Sequence, residues 1–444
     1  MNAKSTPLID IVRAVLAGHL AGVARVRLGL SGGLDSVALL HLLGRLRRER
    51  AFELAAMHVH HGLSPDADAW AAHCQALCLQ CGVPCEVVRI EVGRRHPQGL
   101  EGAARIARYQ ALAAPGADIL VTAHHEDDQA ETVLLALLRG GALRALAAMP
   151  DARDRSGLRH LRPLLGVARS DLEAYAREHY LTWVDDESNK DTMFRRNALR
   201  QTVFPVLEGH FPDYRRRLAA AAAGFGEAAA LLDQLAEQDA ALDAGGGLAC
   251  ARLAALGEAR ARNALAWFIR RSGVPVPPPR RLREALRQVL EAAPQSLPAI
   301  ALERASLRRH RGHVYVVPAM SALGCACWLW RGETVLPLTG SPLRLRFDAV
   351  TGHGLRRAGL AARTVSVRLR QGGERLSLHA GGPTRSLKNL FQEAGVPPWW
   401  RSLWPLVWVD ETLAAVPGVG VHPDWQARPG EPGLRISAQE EPAS

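Results

Sequence analysis

Residues 25–36 read RVRLGLSGGLDS, and this stretch decides the fold. The apolar run 25–30 predicts a buried strand, and the leucines that recur from Leu39 to Leu46 predict a helix after the turn. Glycines let a backbone approach a ligand closely, and the unpaired amides at a helix N-terminus attract anions. A tight strand-to-helix turn with a serine cap is the alternative, but the full string favours a phosphate site. The predicted cradle consists of Ser31, Gly32, Gly33, Leu34, Asp35 and Ser36.

Strand and helix patterns alternate on both sides of this loop. Further apolar strands are predicted at 53–61, 85–92 and 117–125, and helices at 36–50, 66–81, 101–114 and 128–139. Such alternation predicts an α/β domain with a parallel sheet, here spanning residues 1–215. Ligands of parallel sheets bind at the carboxyl ends of the strands, so functional residues are expected at that edge.

The rest of the chain changes character twice. Residues 216–318 are rich in alanine and arginine with helical spacing, which predicts a small helical domain. Residues 319–444 contain short alternating strands, turns and one short helix before Gly395, which predicts a mixed α+β domain. The final stretch 429–444 is expected to be a frayed tail.

Composition limits the classes of function. The 444 residues include 55 Lys+Arg and 44 Asp+Glu, a net charge of +11, and only Lys4, Lys190 and Lys388 are lysines. Excess arginine suits a polyanion such as nucleic acid, although a solvated surface is the alternative. The sequence has no run of about 20 apolar residues, so no membrane span is expected. Charges at Asp10 and Arg13 argue against a secretory signal.

The seven cysteines fit a reducing cytoplasm better than a disulfide framework. Three of them, Cys74, Cys78 and Cys81, share one stripe of a predicted helix, and Cys85 begins the next strand. A metal or cluster site and plain core packing both remain open. Core packing is the preferred interpretation, because cysteine behaves as a small hydrophobic residue.

The string HHEDDQAET (124–132) carries the second predicted site. Three acids at helical spacing, Asp127, Asp128 and Glu131, can point towards one place, with His124 and His125 beside them. Carboxylates at a helix N-terminus are often only favourable caps. Three of them at the ligand edge of the sheet instead suit Mg²⁺ or a substrate ammonium group. Both ligands stay open, with Asp35 and Asp127 as the candidate metal ligands.

Two further stretches join arginines to polar residues. Glu101, Arg105 and Arg108 share a helical face, where an exposed ion pair is the simple alternative. An acidic segment, 185–191, precedes a helix with Arg196, Asn197 and Arg200. Alone, that segment would be interpreted as an acidic loop that caps an amphipathic helix.

Taken in order, the motifs resemble one family. SGGLDS resembles the PP-loop of ATP pyrophosphatases, and it lacks the lysine of the kinase P-loop. HVHHGLS, LEGAARIARY, HHEDDQAET, RPLL and DESNKDTMFRRNALR follow it, and QGGERLSLHAGGPTRSLKNLFQEAGVPPWWR lies near the end. This ordered set is similar to that of the tRNA(Ile)-lysidine synthetase family over most of the chain.

The resemblance implies a ligase that uses ATP, Mg²⁺, L-lysine and an isoleucine tRNA with a CAU anticodon. Such enzymes adenylate the first anticodon cytosine, and lysine then displaces AMP. The acids are expected to bind lysine, and the arginines, with Asn197, to contact phosphate or the anticodon. Lys388 and Arg401 are expected to contact tRNA, beside tryptophans of which at least half pack in the core. Related enzymes include dimers, so a homodimer stays open.

Two rivals remain. A tRNA thiolase of the same superfamily would adenylate a similar carbonyl but deliver sulfur, and the pair Cys78 and Cys81 is its main support. A non-catalytic RNA-binding protein would keep the nucleotide fold without the chemistry. The intact SGGLDS and DDQAET strings argue against the second rival.

Overall fold

The computed structural model describes residues 7–20, 24–92, 99–155, 157–185, 193, 195–243, 246–292, 298–319, 326–341 and 343–440. The chain divides into two compact units, Met1–Leu235 and Ala236–Ser444. The three domains with boundaries at 215 and 318 stay a prediction.

The first unit alternates strands and helices, as its sequence predicts. Its elements are α1 (Leu8–Ala17), β1 (Arg25–Gly29), α2 (Leu34–Leu46), β2 (Glu53–His60), α3 (Ala67–Gln80), β3 (Cys85–Arg89), α4 (Gly99–Leu112), β4 (Ile119–Val121), α5 (Glu126–Leu138), α6 (Leu143–Leu146), β5 (Ala152–Arg155), β6 (Leu158–Leu161), α7 (Arg169–Glu178), α8 (Arg195–Ala198), a π-helical turn (Leu199–Val203), α9 (Phe204–His210) and α10 (Tyr214–Ala240).

Six strands form one sheet in the order β3-β2-β1-β4-β6-β5. All neighbours are parallel except β5, which is antiparallel to β6. The core contains Val26 and Leu28 of β1 and Leu39 and Leu40 of α2, all at most 2% exposed. This confirms the predicted α/β fold. Because chain order runs outwards from β1 in both directions, the crevice beside β1 and β4 is a switch point where ligands bind.

The second unit joins helices to strands. Its elements are β7 (Leu248–Ala249), α11 (Cys250–Ala255), α12 (Glu258–Arg271), α13 (Pro279–Glu291), β8 (Ala299–Ala301), β9 (Ala305–His310), β10 (His313–Pro318), β11 (Cys327–Trp330), β12 (Val335–Pro337), β13 (Leu343–Thr351), β14 (Leu355–Arg356), β15 (Val365–Leu369), β16 (Arg375–Leu376), β17 (Arg385–Ser386), α14 (Leu387–Glu393), β18 (Pro405–Val409), β19 (Thr412–Val416), β20 (Gly420–Val421) and β21 (Pro432–Glu440). Short 3-10 turns lie at Leu360–Ala362 and Pro423–Trp425.

The helical segment of this unit also contains a small sheet. Strands β7, β10, β9 and β8 pair in that order, and α12 and α13 cover a core that includes Leu265, Phe268 and Leu307. The sequence predicted the helices but not these strands. The consecutive polar residues Arg308, Arg309 and His310 in β9 hide the strand pattern from a search for apolar runs.

The predicted frayed tail is wrong for the described residues. Every residue of β21 pairs with β13, from Pro432 opposite Thr351 to Glu440 opposite Leu343. The turn-forming PGEPG string suggested disorder, but Leu434 and Ile436 face the core and hold the strand in place.

The tryptophans and cysteines pack mostly as apolar groups. Trp399 and Trp400 are buried in the core of the second unit, and Trp404 and Trp408 pack partly against it, which confirms the core interpretation. Cys74 and Cys78 are fully buried in the core of the first unit. Among the described residues, none of the helices has the length and apolar character that crossing a bilayer requires.

Candidate active site

The loop after β1 adopts the geometry of an anion cradle. The Ser31 amide donates to Ser36 Oγ at 3.2 Å, and Ser36 Oγ donates to the Gly33 carbonyl at 2.9 Å. Gly32 has a φ of +86°, and a Cβ there would lie 3.0 Å from Cys74 Sγ. Gly33 precedes the first turn of α2 in extended conformation, so the helix N-terminus opens onto the loop. Its first amides have no partner within the helix and suit phosphate oxygens.

The first turn of α2 places one apolar and one acidic side chain at this loop. Leu34 is buried and anchors the helix to the core. Asp35 faces the site, with Oδ2 3.4 Å from His125 Nε2. Its other oxygen, Oδ1, is buried and has no hydrogen-bond partner among the described residues.

His125 connects this loop to the acidic helix. Its ring nitrogens lie 3.6 Å from Asp127 Oδ2 and 3.6 Å from Asp128 Oδ2, besides the contact with Asp35. Burial disfavours the charged ring, but the contacts with Asp127 and Asp35 and the charge of Asp128 outweigh it and raise the pKa of His125 to about 10. A cationic His125 therefore holds three carboxylates together near neutral pH.

Three of the acids of α5, Asp127, Asp128 and Glu131, divide between two sets of cations. Asp128 Oδ1 accepts from Arg200 Nη2 at 3.1 Å, and Glu131 pairs with the same guanidinium. Asp127 instead accepts from Arg215 Nε at 2.6 Å and from the Arg169 amide at 3.1 Å. Among the described residues, only Asp128 and Glu131 of these three acids thus share an arginine partner. They are the best placed pair for binding a single ammonium group.

Glu131 is the most deeply buried acid of the site. Burial raises its pKa, and the hydrogen bond from Arg200 opposes that shift. Arg196 lies nearby, with Nε 3.9 Å from Glu131 Oε2 and Nη2 donating to Thr132 at 3.2 Å. Asn197, which lies between Arg196 and Arg200 in the sequence, is also buried.

The cations reach the acids because the chain after α8 packs onto α5. Leu199 and Phe204 pack in a small apolar cluster with Tyr214 of α10 and Ala130 of α5. This cluster holds the π-helical turn, which carries Arg200, and the start of α10 against the acidic helix. The acidic segment predicted at 185–191 lies outside the described residues, apart from Asp185.

Helix α4 adds a basic face around an aromatic ring. The guanidinium carbons of Arg105 and Arg108 lie 5.5 and 5.4 Å from the centre of the Tyr109 ring. Burial lowers the pKa of Arg105, and the nearby charges of Arg196 and Arg108 add to that effect. Arg108 Nε is buried without a hydrogen-bond partner in the described part of the chain. The side chain of Glu101 lies outside the described residues.

His124 lies between this face and the end of β4. Its Nδ1 is 2.9 Å from Thr122 Oγ1, and its Nε2 is 3.5 Å from the Tyr109 hydroxyl. Burial, with repulsion from Arg162 and Arg108, lowers the pKa of His124 to about 3 despite the opposing charge of Asp128. His124 is thus neutral, whereas the adjacent His125 is charged.

Comparison with known proteins agrees with this geometry. The PP-loop domain family matches residues 10–207, the TilS substrate binding domain matches 248–315, and the TilS substrate C-terminal domain matches 365–438. A tRNA(Ile)-lysidine synthase of Chromobacterium violaceum is 43% identical over 412 residues, which cover 91% of this chain and 93% of the relative. The chain belongs to the tRNA(Ile)-lysidine synthase family.

Another lysidine synthase, from Azoarcus sp., is 42% identical over 433 residues, covering 96% of this chain and 94% of the relative. Among solved structures, a U34-tRNA thiolase from Methanococcus maripaludis is similar to 50% of this chain and 77% of its own, at 18% identity and a TM-score of 0.42.

In this member of the lysidine synthase family, two of the predicted tRNA contacts, Lys388 and Arg401, lie in the second unit. Lys388 is exposed on α14. Arg401 is partly buried, and its Nε donates to the Val396 carbonyl at 2.9 Å. No hydrogen bond or ion pair of the Lys388 ammonium is present among the described residues, whereas part of the Arg401 guanidinium already has an intramolecular role.

Three site arginines were not predicted as catalytic or binding. Both histidines of the HHEDD string were expected beside the acids, but the sequence does not say which histidine faces them. Arg162 belongs to the RPLL string and follows β6. Arg169 and Arg215 have no local signal, because their contacts with Asp127 join positions 42 and 88 residues apart.

Proposed function

We propose that the chain ligates L-lysine to carbon 2 of the first anticodon cytosine in the CAU-anticodon isoleucine tRNA. The cytosine O2 attacks the α-phosphorus of ATP, and the bond to pyrophosphate breaks. The lysine ε-amine then attacks C2, and the C2–O bond breaks as AMP leaves. The product pairs with adenine, so decoding changes from AUG to AUA. The observation that carries the proposal is the similarity to lysidine synthases over nine tenths of the chain.

The cradle Ser31–Ser36 supports the ATP step. Amides at the start of α2 would hold the triphosphate, and the fixed dipoles would stabilise charge that develops as pyrophosphate leaves. The close fit at Gly32 leaves the backbone, rather than a side chain, facing the ligand. His125 and Arg169 extend the same positive region from the other side of Asp35.

Mg²⁺ fits part of this site. Within the described ranges, no group of three His, Cys, Asp or Glu side chains could hold a metal. Mg²⁺ is commonly bound by one or two carboxylates together with substrate phosphates. Asp35 Oδ1 suits it, since that oxygen is buried without a hydrogen-bond partner among the described residues. Asp127 would join it by releasing one of its two donors, Arg215 or the Arg169 amide. The ion would neutralise phosphate charge.

Asp128 and Glu131 are the proposed lysine site. A free lysine amine has a pKa near 10.4, so losing its proton at pH 7 costs roughly 4.6 kcal/mol. A carboxylate beside the ammonium lowers this cost by accepting the proton during attack. Burial raises the pKa of Glu131, which makes it a better acceptor than an exposed carboxylate. Lysine would share the two acids with Arg200 or displace it.

The tRNA is expected to contact both basic regions. Arg105, Arg108, Arg196, Asn197 and Arg200 remain the proposed contacts near the reacting base, and Lys388 and Arg401 those of the second unit. RNA recognition combines phosphate contacts with splayed bases held on flat side chains. The proposed domains are a catalytic PP-loop domain (1–215), a helical tRNA-binding domain (216–318) and a C-terminal tRNA-recognition domain (319–444). A homodimer and a cytoplasmic location also stay predictions.

The decisive experiment is ATP-dependent incorporation of labelled lysine into an isoleucine tRNA transcript with a CAU anticodon. Incorporation should require ATP and disappear when the first anticodon cytosine is replaced by guanine. The absence of incorporation, with the protein folded, would overturn the proposal.

One variant separates the two proposed steps. Asp128→Asn should slow lysine transfer more than ATP–pyrophosphate exchange, because the lysine site loses charge while the cradle is untouched. Glu126→Gln is the matched control. It removes a carboxylate that lies in the same helical turn, and no contact of this carboxylate with His125 is present among the described residues. Equal loss of both steps in Asp128→Asn would assign this carboxylate to Mg²⁺ instead.

The thiolase alternative has a direct test. Cys78 is buried, and its hydrogen bond with Cys85 together with burial raises its pKa, which disfavours the thiolate a sulfur carrier needs. The double variant Cys78→Ala, Cys81→Ala should therefore keep lysine transfer. Loss of activity with an intact fold would favour sulfur chemistry.

A further inference from the structure

Four polar side chains form a continuous chain beside the proposed site. Arg162 Nη2 lies 3.1 Å from His160 Nδ1, His160 Nε2 lies 2.7 Å from Thr122 Oγ1, and Thr122 Oγ1 lies 2.9 Å from His124 Nδ1. Arg162 follows β6 and Thr122 follows β4, so neighbouring parallel strands bring the chain together. All but His124 are at most 7% exposed.

The direction of this chain follows from its first member. Arginine has only N–H donors, so His160 Nδ1 must accept and His160 carries its proton on Nε2. That N–H donates to Thr122 Oγ1. The Thr122 hydroxyl has His124 Nδ1 as its only other hydrogen-bond partner among the described residues, so it donates there. His124 Nδ1 is therefore an acceptor, and the ring proton of His124 is on Nε2.

We propose that Arg162, His160 and Thr122 are positioning residues that hold His124 as the neutral tautomer with its proton on Nε2. His124 then acts as a hydrogen-bond donor in the reaction, not as the base that accepts the lysine proton. This role rests on the proposed function, whereas the tautomer itself does not.

The surroundings of His124 keep the ring neutral. Arg105 and Arg108 of α4 and Arg162 beyond β6 face it with positive charge, and Tyr109 lies at the Nε2 side. The charge of Asp128 of α5 opposes them. A second proton on Nδ1 would also break the bond from Thr122, because both partners would then be donors.

The consequence is a division of roles between adjacent residues. With Nδ1 occupied, the only reactive position of His124 is Nε2–H, which can donate to an oxygen of the phosphate or of the departing AMP. The lysine proton must go elsewhere, and Asp128 and Glu131 are the acceptors at hand.

The first test is spectroscopic and uses the full-length protein. ¹⁵N-histidine labelling reports which ring nitrogen carries a proton, and the signals that vanish in His124→Gln identify His124 among the 17 histidines. The expected pattern is a protonated Nε2 and an unprotonated Nδ1 at neutral pH. A proton on Nδ1, or on both nitrogens, would overturn the proposal without touching the proposed function.

The second test separates the hydroxyl from its packing. Thr122→Val should slow lysine transfer in single turnovers by about tenfold, the value of one lost hydrogen bond, with the KM for lysine unchanged. Thr122→Ser keeps the hydroxyl and should restore the rate and the tautomer. Equal rates in Thr122→Val and wild type, or a change in KM alone, would contradict the positioning role.

A third comparison tests which nitrogen matters. The amide nitrogen of glutamine can reproduce a donor at the Nε2 position, whereas that of asparagine lies nearer the Nδ1 position. His124→Gln should therefore retain more lysine transfer than His124→Asn at equal stability. The reverse order would show that His124 acts through Nδ1.

Discussion

Arg200 of the first unit pairs with Glu131, whose side chain is 1% exposed, whereas Arg287 of the second unit pairs with Glu284 and Glu291, which are 47% and 61% exposed. In both cases the guanidinium of an arginine in a helical segment pairs with a glutamate carboxylate. The buried pair lies at the ligand edge of a sheet, beside Asp128 and His125. The exposed pair lies on the outer face of α13. Burial of the acid, and not the presence of arginine, thus distinguishes the candidate site from an ordinary solvated surface.

A third use of arginine appears in both units. Arg27 is buried in the first unit and donates to the carbonyls of Leu112 and Ala114 at the end of α4. Arg309 does the same in the second unit, at the end of α13. These arginines satisfy the unpaired carbonyls of helix C-termini. Part of the charge excess is therefore structural, which the composition could not reveal.

Arg200→Ala should have the largest effect of the variants that test this comparison. It leaves Glu131 buried without its main cation, which should cost about 3 kcal/mol, the lower end for a broken buried pair because Arg200 itself is 41% exposed. Lysine transfer should fall by about 100-fold or more, since the geometry of both acids changes. Urea unfolding and single-turnover lysine transfer measure the two effects.

Arg287→Ala is the matched control in the second unit. Its pairs are exposed, so the free energy of unfolding should change by less than about 1 kcal/mol. Similar losses in the two variants would show that burial does not separate the two kinds of pair.

Gly32→Ala should have the next largest effect. A residue with a side chain pays about 1–2 kcal/mol for this left-handed backbone, and the new Cβ would press against Cys74 Sγ at 3.0 Å. The loop should shift, so that ATP binding weakens together with the free energy of unfolding. Calorimetric titration with ATP and urea unfolding would measure both.

Gly418→Ala in the second unit isolates the backbone part of that cost. Gly418 has a φ of +70° and no atom within 4 Å of a built Cβ, so only the conformational penalty of about 1 kcal/mol is expected. ATP binding should not change. An equal loss of stability in both variants would mean that the contact with Cys74 contributes nothing.

The sequence predicts the first unit better than the second, for a physical reason. Strands β1, β2 and β4 are short and largely buried, and the alternation of strands β1 to β4 with helices is local information. Strand β6 has the sequence LRHL, in which Arg159 and His160 interrupt the apolar pattern. Strand β21 depends on pairing with β13, about 90 residues away, so its turn-rich start was misleading.

The candidate site likewise can be predicted only where its residues lie close together in the sequence. The cradle and the acids of α5 are each contained within a few residues, so their chemistry can be recognised locally. The division of the acids between Arg200 and Arg215 cannot be, because it depends on how α9 and α10 pack against α5 through Phe204 and Tyr214. The chain from Arg162 to His124 likewise needs the neighbouring positions of β4 and β6.

The buried histidines should make stability sensitive to acid. Burial, with repulsion from Arg108, lowers the pKa of His61 from 6.5 to about 4. The unfolded chain therefore binds a proton between these values that the folded chain does not, so stability is full above pH 6.5 and declines as the pH falls to about 4. His61→Gln should reduce this decline by about 1 kcal/mol, because the ring is only partly buried and solvent screens it.

Urea midpoints at pH 7.5 and pH 5 would measure that difference. The wild-type midpoint should fall more between the two values than that of His61→Gln. Parallel declines would show that His61 is not the source of the acid sensitivity and would leave His124, whose pKa is lowered in the same direction, as the next residue to examine.

Lys388→Ala should have the smallest effect, on tRNA binding alone. Lys388 is exposed on α14, and no hydrogen bond or ion pair of its side chain is present among the described residues, in contrast to nearby Arg385, which pairs with Glu393. If its ammonium contacts one phosphate, the dissociation constant for tRNA should rise about threefold, and the slope of log affinity against log salt should fall by about one. Lys388→Arg keeps the charge and should preserve both quantities. Filter binding at several salt concentrations measures both quantities and separates a phosphate contact from a structural role. An unchanged salt slope would place Lys388 outside the tRNA interface, even if the affinity fell.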